Sequence, residues 1–330
     1  VVENVPDNFS TLYKHANFLK VSNTLVALQQ LTTHHRKAFD IPVVGITGSN
    51  GKTMVKEWLS QLLSYDRNVT RSPKSYNSQI GVPLSVWLLN ESSQIGLIEA
   101  GISKVGEMQA LHDIILPTVG VLTSLGSAHQ ENFSSLEEKC NEKLLLFKGT
   151  QALVYQLDDK IAAKCITAAH YDGQLLAWSE HDTTAAFYVN SIEKHETTST
   201  INYIWQQTTQ GSYTLPFIDD ASISDSITCA VVALHFGVQP DVLAQRMAVL
   251  EPVAMRLEVK EGQHGCTLIN DSYNSDINSL DIALDFMNRR PDQKRRERTL
   301  ILSDIYQSGE TEQQLYADVA ALVKERGVKK

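Results

Sequence analysis

The stretch VVGITGSNGKTMVKEWLSQLL, Val43–Leu63, constrains this chain more than any other. It opens on apolar and β-branched residues, the pattern of a short buried strand. Glycines follow at Gly45, Gly48 and Gly51, then Lys52 and Thr53. Met54, Val55, Trp58, Leu59, Leu62 and Leu63 then recur at helical spacing. A strand, a glycine-rich turn and a helix in that order build an anion site. The turn points backbone N–H groups inward, and the helix N-terminus adds partial positive charge. Lys52 supplies a full charge for β- and γ-phosphates, and Thr53 a hydroxyl for Mg²⁺. The loop departs from G-x-x-x-x-G-K-[ST], because Ile46 stands where the first glycine belongs. A small GTPase, kinase or transporter ATPase more often keeps that glycine.

The same alternation continues. IGLIEAG (Ile95–Gly101) and TVGVLTS (Thr118–Ser124) read as strands, with helices near Gly106–Ile115 and over Leu136–Phe147. Residues 11–36 read as a preceding helix. Strands alternating with helices predict a doubly wound, mainly parallel sheet. After Gly149 the texture changes. ALVY, LLAWS, AAFYVNSI, STINYIW and SYTLPF are short, β-branched or aromatic, and predict an antiparallel patch. Helices are expected at Ile223–Phe236 and near Asp241–Val249, and a domain boundary near Glu251. TLIND, a helix at Ser279–Met287, TLILSD and a final helix predict a second, partial Rossmann-like α/β unit. The domains expected are 1–40, 41–251 and 252–330.

Composition sets limits on function. With 330 residues, 42% hydrophobic and 20% charged, the chain has the balance of a soluble protein of about two domains. No run approaches the length of a membrane span. A net charge of −9 argues against non-specific nucleic-acid binding, so any phosphate must be held by a local site. Cys140, Cys165, Cys229 and Cys266 show no CxxC spacing and read as reduced, mostly buried thiols. The first residues lack the basic start of a secretory leader, so a cytoplasmic location is expected. The chain begins with Val1 and ends on a helix with no strand after it. It reads as a piece truncated at both ends.

TGSNGKT (Thr47–Thr53) resembles the Mur ligases and the related folate polyglutamate ligases. NSQIGVPLSVWLL, IEAGISKVGEM, SAHQENFSSLEEKCNEKLLLF and NDSYNSDINSL resemble segments of the Mur ligase that adds D-alanyl-D-alanine. The resemblance covers most of the chain. It implies an ATP-dependent, ADP-forming ligase of cell-wall precursor synthesis. Such an enzyme activates a carboxylate as an acyl phosphate and joins it to an amine. ATP and Mg²⁺ are the implied cofactors, and UDP-N-acetylmuramoyl-tripeptide and D-alanyl-D-alanine the implied substrates. The protein would act as a monomer, away from membranes and nucleic acid.

The roles follow from the resemblance, residue by residue. Gly48, Ser49, Asn50, Gly51, Lys52 and Thr53 are expected to hold ATP. Glu99, at a strand's carboxyl end, is the expected Mg²⁺ ligand with Thr53. His129 and Lys143 are expected to support a second Mg²⁺, Lys143 as a CO₂-derived carbamate, since an ammonium has no acceptor for a metal. Lys139 and Lys148 are nearby alternatives to Lys143. Lys52, Glu99, His129 and Lys143 form the expected catalytic set. Asn77, Ser78 and Gln79 are expected to meet the sugar-peptide substrate. Arg256, Asp271 and Tyr273, with Asn274 and Ser275, are expected on the nucleotide. Asp225 stands where the family carries an adenine-reading Asn. An ionised carboxylate only accepts hydrogen bonds, whereas an amide also donates. Three other readings stay open: a folate polyglutamate ligase, a P-loop switch or motor, and a nucleotide-binding module without catalysis.

Overall fold

The computed structural model describes residues 1–5, 7–8, 15, 17–126, 132–273, 276–289, 297–305 and 311–328. Helix α1 (Thr24–Arg36) leads into β1 (Val43–Thr47) and α2 (Lys52–Leu63). Then come β2 (Val69–Arg71), α3 (Gly81–Val86), β3 (Ile95–Glu99), α4 (Met108–Ile115) and β4 (Val119–Leu122). Helix α5 (Leu136–Leu144) ends in a 3-10 turn at Leu145–Phe147. Strand β5 (Ala152–Gln156), helix α6 (Lys160–Ala168) and strands β6 (Gln174–Ser179), β7 (Phe187–Lys194), β8 (Ser199–Trp205) and β9 (Thr209–Leu215) follow. Helices α7 (Asp220–His235) and α8 (Pro240–Met247) close this part. The remainder holds β10 (Glu258–Glu261), β11 (Thr267–Asn270), α9 (Ile277–Arg289) and α10 (Glu312–Glu325).

The nine strands β1–β9 form one sheet in the order β2-β3-β1-β4-β5-β6-β7-β8-β9. Pairing is parallel from β2 through β7, and antiparallel in β7-β8-β9. The antiparallel patch is therefore smaller than the sequence predicts. ALVY and LLAWS belong to parallel β5 and β6, because α6 makes the crossover between them. Asp159 caps α6 by accepting from the N–H groups of Ile161 and Ala162. Helix α1 is also shorter than the span 11–36. Asn23 caps it by accepting from Val26 N–H, and Leu19 and Val21 lie before it. Residues 9–14 and 16 lie outside the described ones. TLILSD forms no strand, and Ile301 within it is 91% exposed. Strands β10 and β11 instead make a separate antiparallel pair.

Helices cover both faces of the sheet. On one, α2, α7 and α8 pack Trp58, Leu59, Ile227 and Leu243 against Val44, Leu97 and Val154. On the other, α3, α4, α5 and α6 pack Val86, Leu111, Cys140 and Ile166 against Val43, Ile98 and Leu153. Burial on both faces explains why β1, β3 and β4 are buried at every position. Leu280, Leu284, Ile305, Leu315 and Val319 form a separate core in the remainder. Cys140, Cys165 and Cys229 are buried free thiols, and Cys266 is exposed. Among the described residues, no helix is long and apolar enough to cross a membrane.

Trp58 and Gln61 tie α2 to the chain leaving α8. Trp58 Nε1 donates to Glu251 O at 3.0 Å, and Glu251 N donates to Gln61 Oε1 at 2.9 Å. Register fixes where the sheet opens. Ile46 pairs with Glu99 on one side and Val121 on the other, so three carboxyl ends share one rim.

Candidate active site

The glycine loop crosses that rim. Gly51 has φ +83°, a left-handed conformation that glycine adopts freely, and caps α2. Close approach also demands glycine. A Cβ on Gly48 would lie 1.9 Å from Thr123 Oγ1, and one on Gly51 2.4 Å from Asp225 Oδ1. The segment after β4 pins the loop: Ser49 N donates to Ser124 O at 2.7 Å, and Thr123 Oγ1 donates to Asn50 O at 2.5 Å.

Lys52 curls over the loop, donating from Nζ to Gly48 O and Ser49 O, each at 2.9 Å. Burial lowers its pKa to about 8, with Glu99 opposing the shift. Lys143, on α5, donates to the same Gly48 O at 2.9 Å and is 3% exposed. Burial, then the charges of Lys52 and Lys139, hold its amine well below the ordinary lysine range. Lys139 sits one turn earlier on α5 and donates to Gly126 O at 2.6 Å. Burial and Lys52 lower its pKa to about 8. Lys148 is exposed. Lys139 and Lys143 thus both enter the site, and their i, i+4 spacing was the signal for a shared face.

Glu99 does not line the open cavity. It is fully buried one layer behind, its carboxylate divided between two environments. Oε2 accepts from Thr53 Oγ1 at 3.2 Å and from Asn77 Nδ2 at 3.5 Å. Oε1 lies 3.1 Å from Lys56 Nζ. Glu99 and Thr53 together offer hard oxygen donors beside the phosphate loop. This fits Mg²⁺, which takes one or two carboxylates and completes its shell with phosphate and water oxygens. Among the described residues no three His, Cys, Asp or Glu side chains gather into a richer site. His129 lies outside the described residues, as do Asn274 and Ser275.

The cavity itself measures about 470 Å³. The glycine loop, Lys139 and Lys143 form one side, and Asn77, Ser78 and Gln79 another. Gly101 N donates to Asn77 O at 2.8 Å, and Gln79 Nε2 donates to Glu107 O at 3.0 Å, so this wall is fixed. Arg256 and Tyr273 reach the cavity from the chain beyond Glu251, the guanidinium carbon 4.3 Å from the ring centroid. Asp271 and Asp225 sit outside the lining. Asp271 Oδ1 accepts from Leu257 N at 3.2 Å, and burial raises its pKa. Asp225 packs on Gly51, and burial followed by Asp219 pushes its carboxyl up to about 8. Protonated, such a carboxyl donates as well as accepts, which an ionised one cannot. Lys56 and Thr123 went unnoticed in the sequence, because neither is part of the loop's glycine pattern.

Residues 46–233 match the model of the Mur ligase middle domain. Over 98% of its length the chain is 27% identical to the UDP-N-acetylmuramoyl-tripeptide–D-alanyl-D-alanine ligase of Bacillus subtilis, covering 67% of that protein. Its fold is similar to that of MurF from Acinetobacter baumannii, with a TM-score of 0.81 and 22% identity over 93% of this chain and 66% of the other. It is also similar to the MurF ligase of Thermotoga maritima solved with ADP, with a TM-score of 0.78 and 22% identity over 92% and 69% of the two chains. The chain spans about two thirds of the length of the curated relatives it matches.

Proposed function

Because the chain belongs to the Mur ligase family, we propose that it carries the ATP-binding part of the ligase joining D-alanyl-D-alanine to UDP-N-acetylmuramoyl-tripeptide. The observation that carries this reading is one cavity bounded by the phosphate loop, the buried lysines Lys139 and Lys143, and the Asn77–Gln79 wall. The tripeptide carboxylate oxygen attacks the γ-phosphorus of ATP, the bond to the bridging oxygen breaks, and ADP leaves. The amine of D-alanyl-D-alanine then attacks the acyl carbon, the amine loses a proton, and phosphate departs.

Every participant in the first step is anionic, so cations and aimed donors do the work. Gly48–Thr53 would cradle the β- and γ-phosphates, with Lys52 turning from its loop carbonyls to the phosphate oxygens. Arg256 and Tyr273 would meet the nucleotide, with Asp271 holding the Arg256 segment in place. Asp225, neutral behind Gly51, could offer both a donor and an acceptor on the adenine side. Asn77, Ser78 and Gln79 would receive the sugar-peptide. Mg²⁺, held by Glu99 and Thr53, would neutralise phosphate charge. The depressed amine of Lys143 is the nucleophilic form that CO₂ requires, and the carbamate would add oxygen donors with His129. Cytoplasmic action as a monomer completes the reading, with domains dividing near residues 40 and 251.

The test is ADP release by the complete protein with ATP, Mg²⁺ and UDP-muramoyl tripeptide, with and without D-alanyl-D-alanine. Release that needs both substrates supports the ligase. Release supported by a folate and glutamate instead would transfer the chain to the folate polyglutamate branch.

A further inference from the structure

Lys56 has no role in the chemistry above, yet its side chain is fully buried. It lies one turn after Lys52 on α2. Its Nζ lies 2.8 Å from Ser72 O, 2.8 Å from Glu57 Oε1 and 3.1 Å from Glu99 Oε1, and it also donates to Lys74 O. Burying such a pair is costly, and apolar replacements are often as stable, so stability alone does not account for it. The division of Glu99 does. Its Oε2 faces Thr53 and Asn77, which line the cavity. Its Oε1 lies against Lys56, which does not line the cavity, and accepts no hydrogen bond among the described residues.

We propose that Lys56 is a positioning residue that reserves Oε1 of Glu99, so that the carboxylate presents one oxygen to a divalent cation and the site favours Mg²⁺ over Ca²⁺. The physical basis is coordination number. Mg²⁺ demands six ligands in near-ideal octahedral geometry, which a two-oxygen carboxylate distorts. Ca²⁺ takes six to eight oxygens and accepts carboxylates in either mode. Oε1 accepts no hydrogen bond among the described residues, so the buried ammonium 3.1 Å away holds it by charge and opposes turning that oxygen to the cation. The inference rests on the reading of Glu99 as a metal ligand.

ADP binding to the full chain, measured by calorimetry in EDTA, Mg²⁺ and Ca²⁺, tests it. In wild type, Mg²⁺ is expected to tighten ADP more than Ca²⁺ does. In Lys56→Met that preference falls about tenfold or more, as loss of an outer-shell partner does elsewhere, while affinity in EDTA stays unchanged. Lys56→Gln, polar but uncharged, shows the same fall. It also carries the test if Lys56→Met fails to show a cooperative thermal transition. A folded variant with the wild-type ion preference overturns the proposal, as does wild type that binds ADP equally in the two ions. Wild type that binds no ADP in any ion overturns the ligase reading itself.

Discussion

Lys143 Nζ and Lys52 Nζ both donate to the carbonyl oxygen of Gly48, each at 2.9 Å. Two amines on one acceptor, with Lys139 nearby, cannot all remain charged in a buried site without large cost. Burial, then the charges of Lys52 and Lys139, hold the Lys143 amine well below the ordinary lysine range, which favours the neutral form that a carbamate needs. Turnover is therefore expected to depend on dissolved CO₂. Removing bicarbonate at pH 6 should slow wild type, and adding it should restore the rate. Lys143→Ala should be about 100-fold slower or more and indifferent to bicarbonate. A Lys143→Ala variant equal to wild type would rule out the carbamate.

Lys52→Ala separates binding from folding. In wild type the folded state releases the Lys52 proton at about 8, below the ordinary 10.5. Between those values the unfolded chain binds more protons, so wild-type stability rises with pH across the window. Below it, the buried charge is a burden. The variant should therefore keep or raise its Tm at pH 7, show a smaller rise above pH 8, part of which Lys139 still supplies, and lose about 100-fold or more in ATP turnover. Thermal melts from pH 7 to 10 beside an ADP-release assay check both halves.

Asp225→Asn reports the opposite linkage. The folded carboxyl holds its proton up to about 8, against an ordinary 3.8. Between these values the native state binds more protons, so wild-type stability falls as pH rises. Asparagine supplies the same donor and acceptor without titrating. Its Tm should exceed that of wild type at pH 8, the gap narrowing toward pH 4. Parallel curves would mean that Asp225 is ionised throughout.

Gly51→Ala should cost about 1–2 kcal/mol for the left-handed backbone alone. The contact with Asp225 Oδ1, 2.4 Å from the added Cβ, increases the loss. Removing that carboxyl in Gly51→Ala/Asp225→Ala should recover only the contact part. Denaturant titration of the two variants separates backbone strain from collision.

The first half of the sheet was legible because β1, β3 and β4 are buried on both faces and read as unbroken apolar runs between helical periods. The glycine loop between strand and helix was legible because it is local: Gly48 to Thr53 are consecutive. Strand direction was not. β5 and β6 resemble the later hairpin strands in composition, and only the crossover α6, a helix of nine residues, makes them parallel. The raised pKa of Asp225 was not legible, because burial comes first among its causes and is set by residues distant in sequence such as Gly51. Lys56 was invisible for the same reason, since nothing local tells that its ammonium meets Glu99 from another strand.

Helix α2 is about 18 Å long by its twelve residues. Its first turn carries Lys52 and Thr53 at the cavity, and Trp58 and Gln61 farther along moor the outgoing chain at Glu251. It is therefore a rod with the proposed phosphate site at one end and a hitch near the other. A chimera that grafts a foreign carboxyl-terminal unit after Glu251 keeps the hitch and should inherit the coupling. One joined before Glu251 uncouples the two units even if both fold.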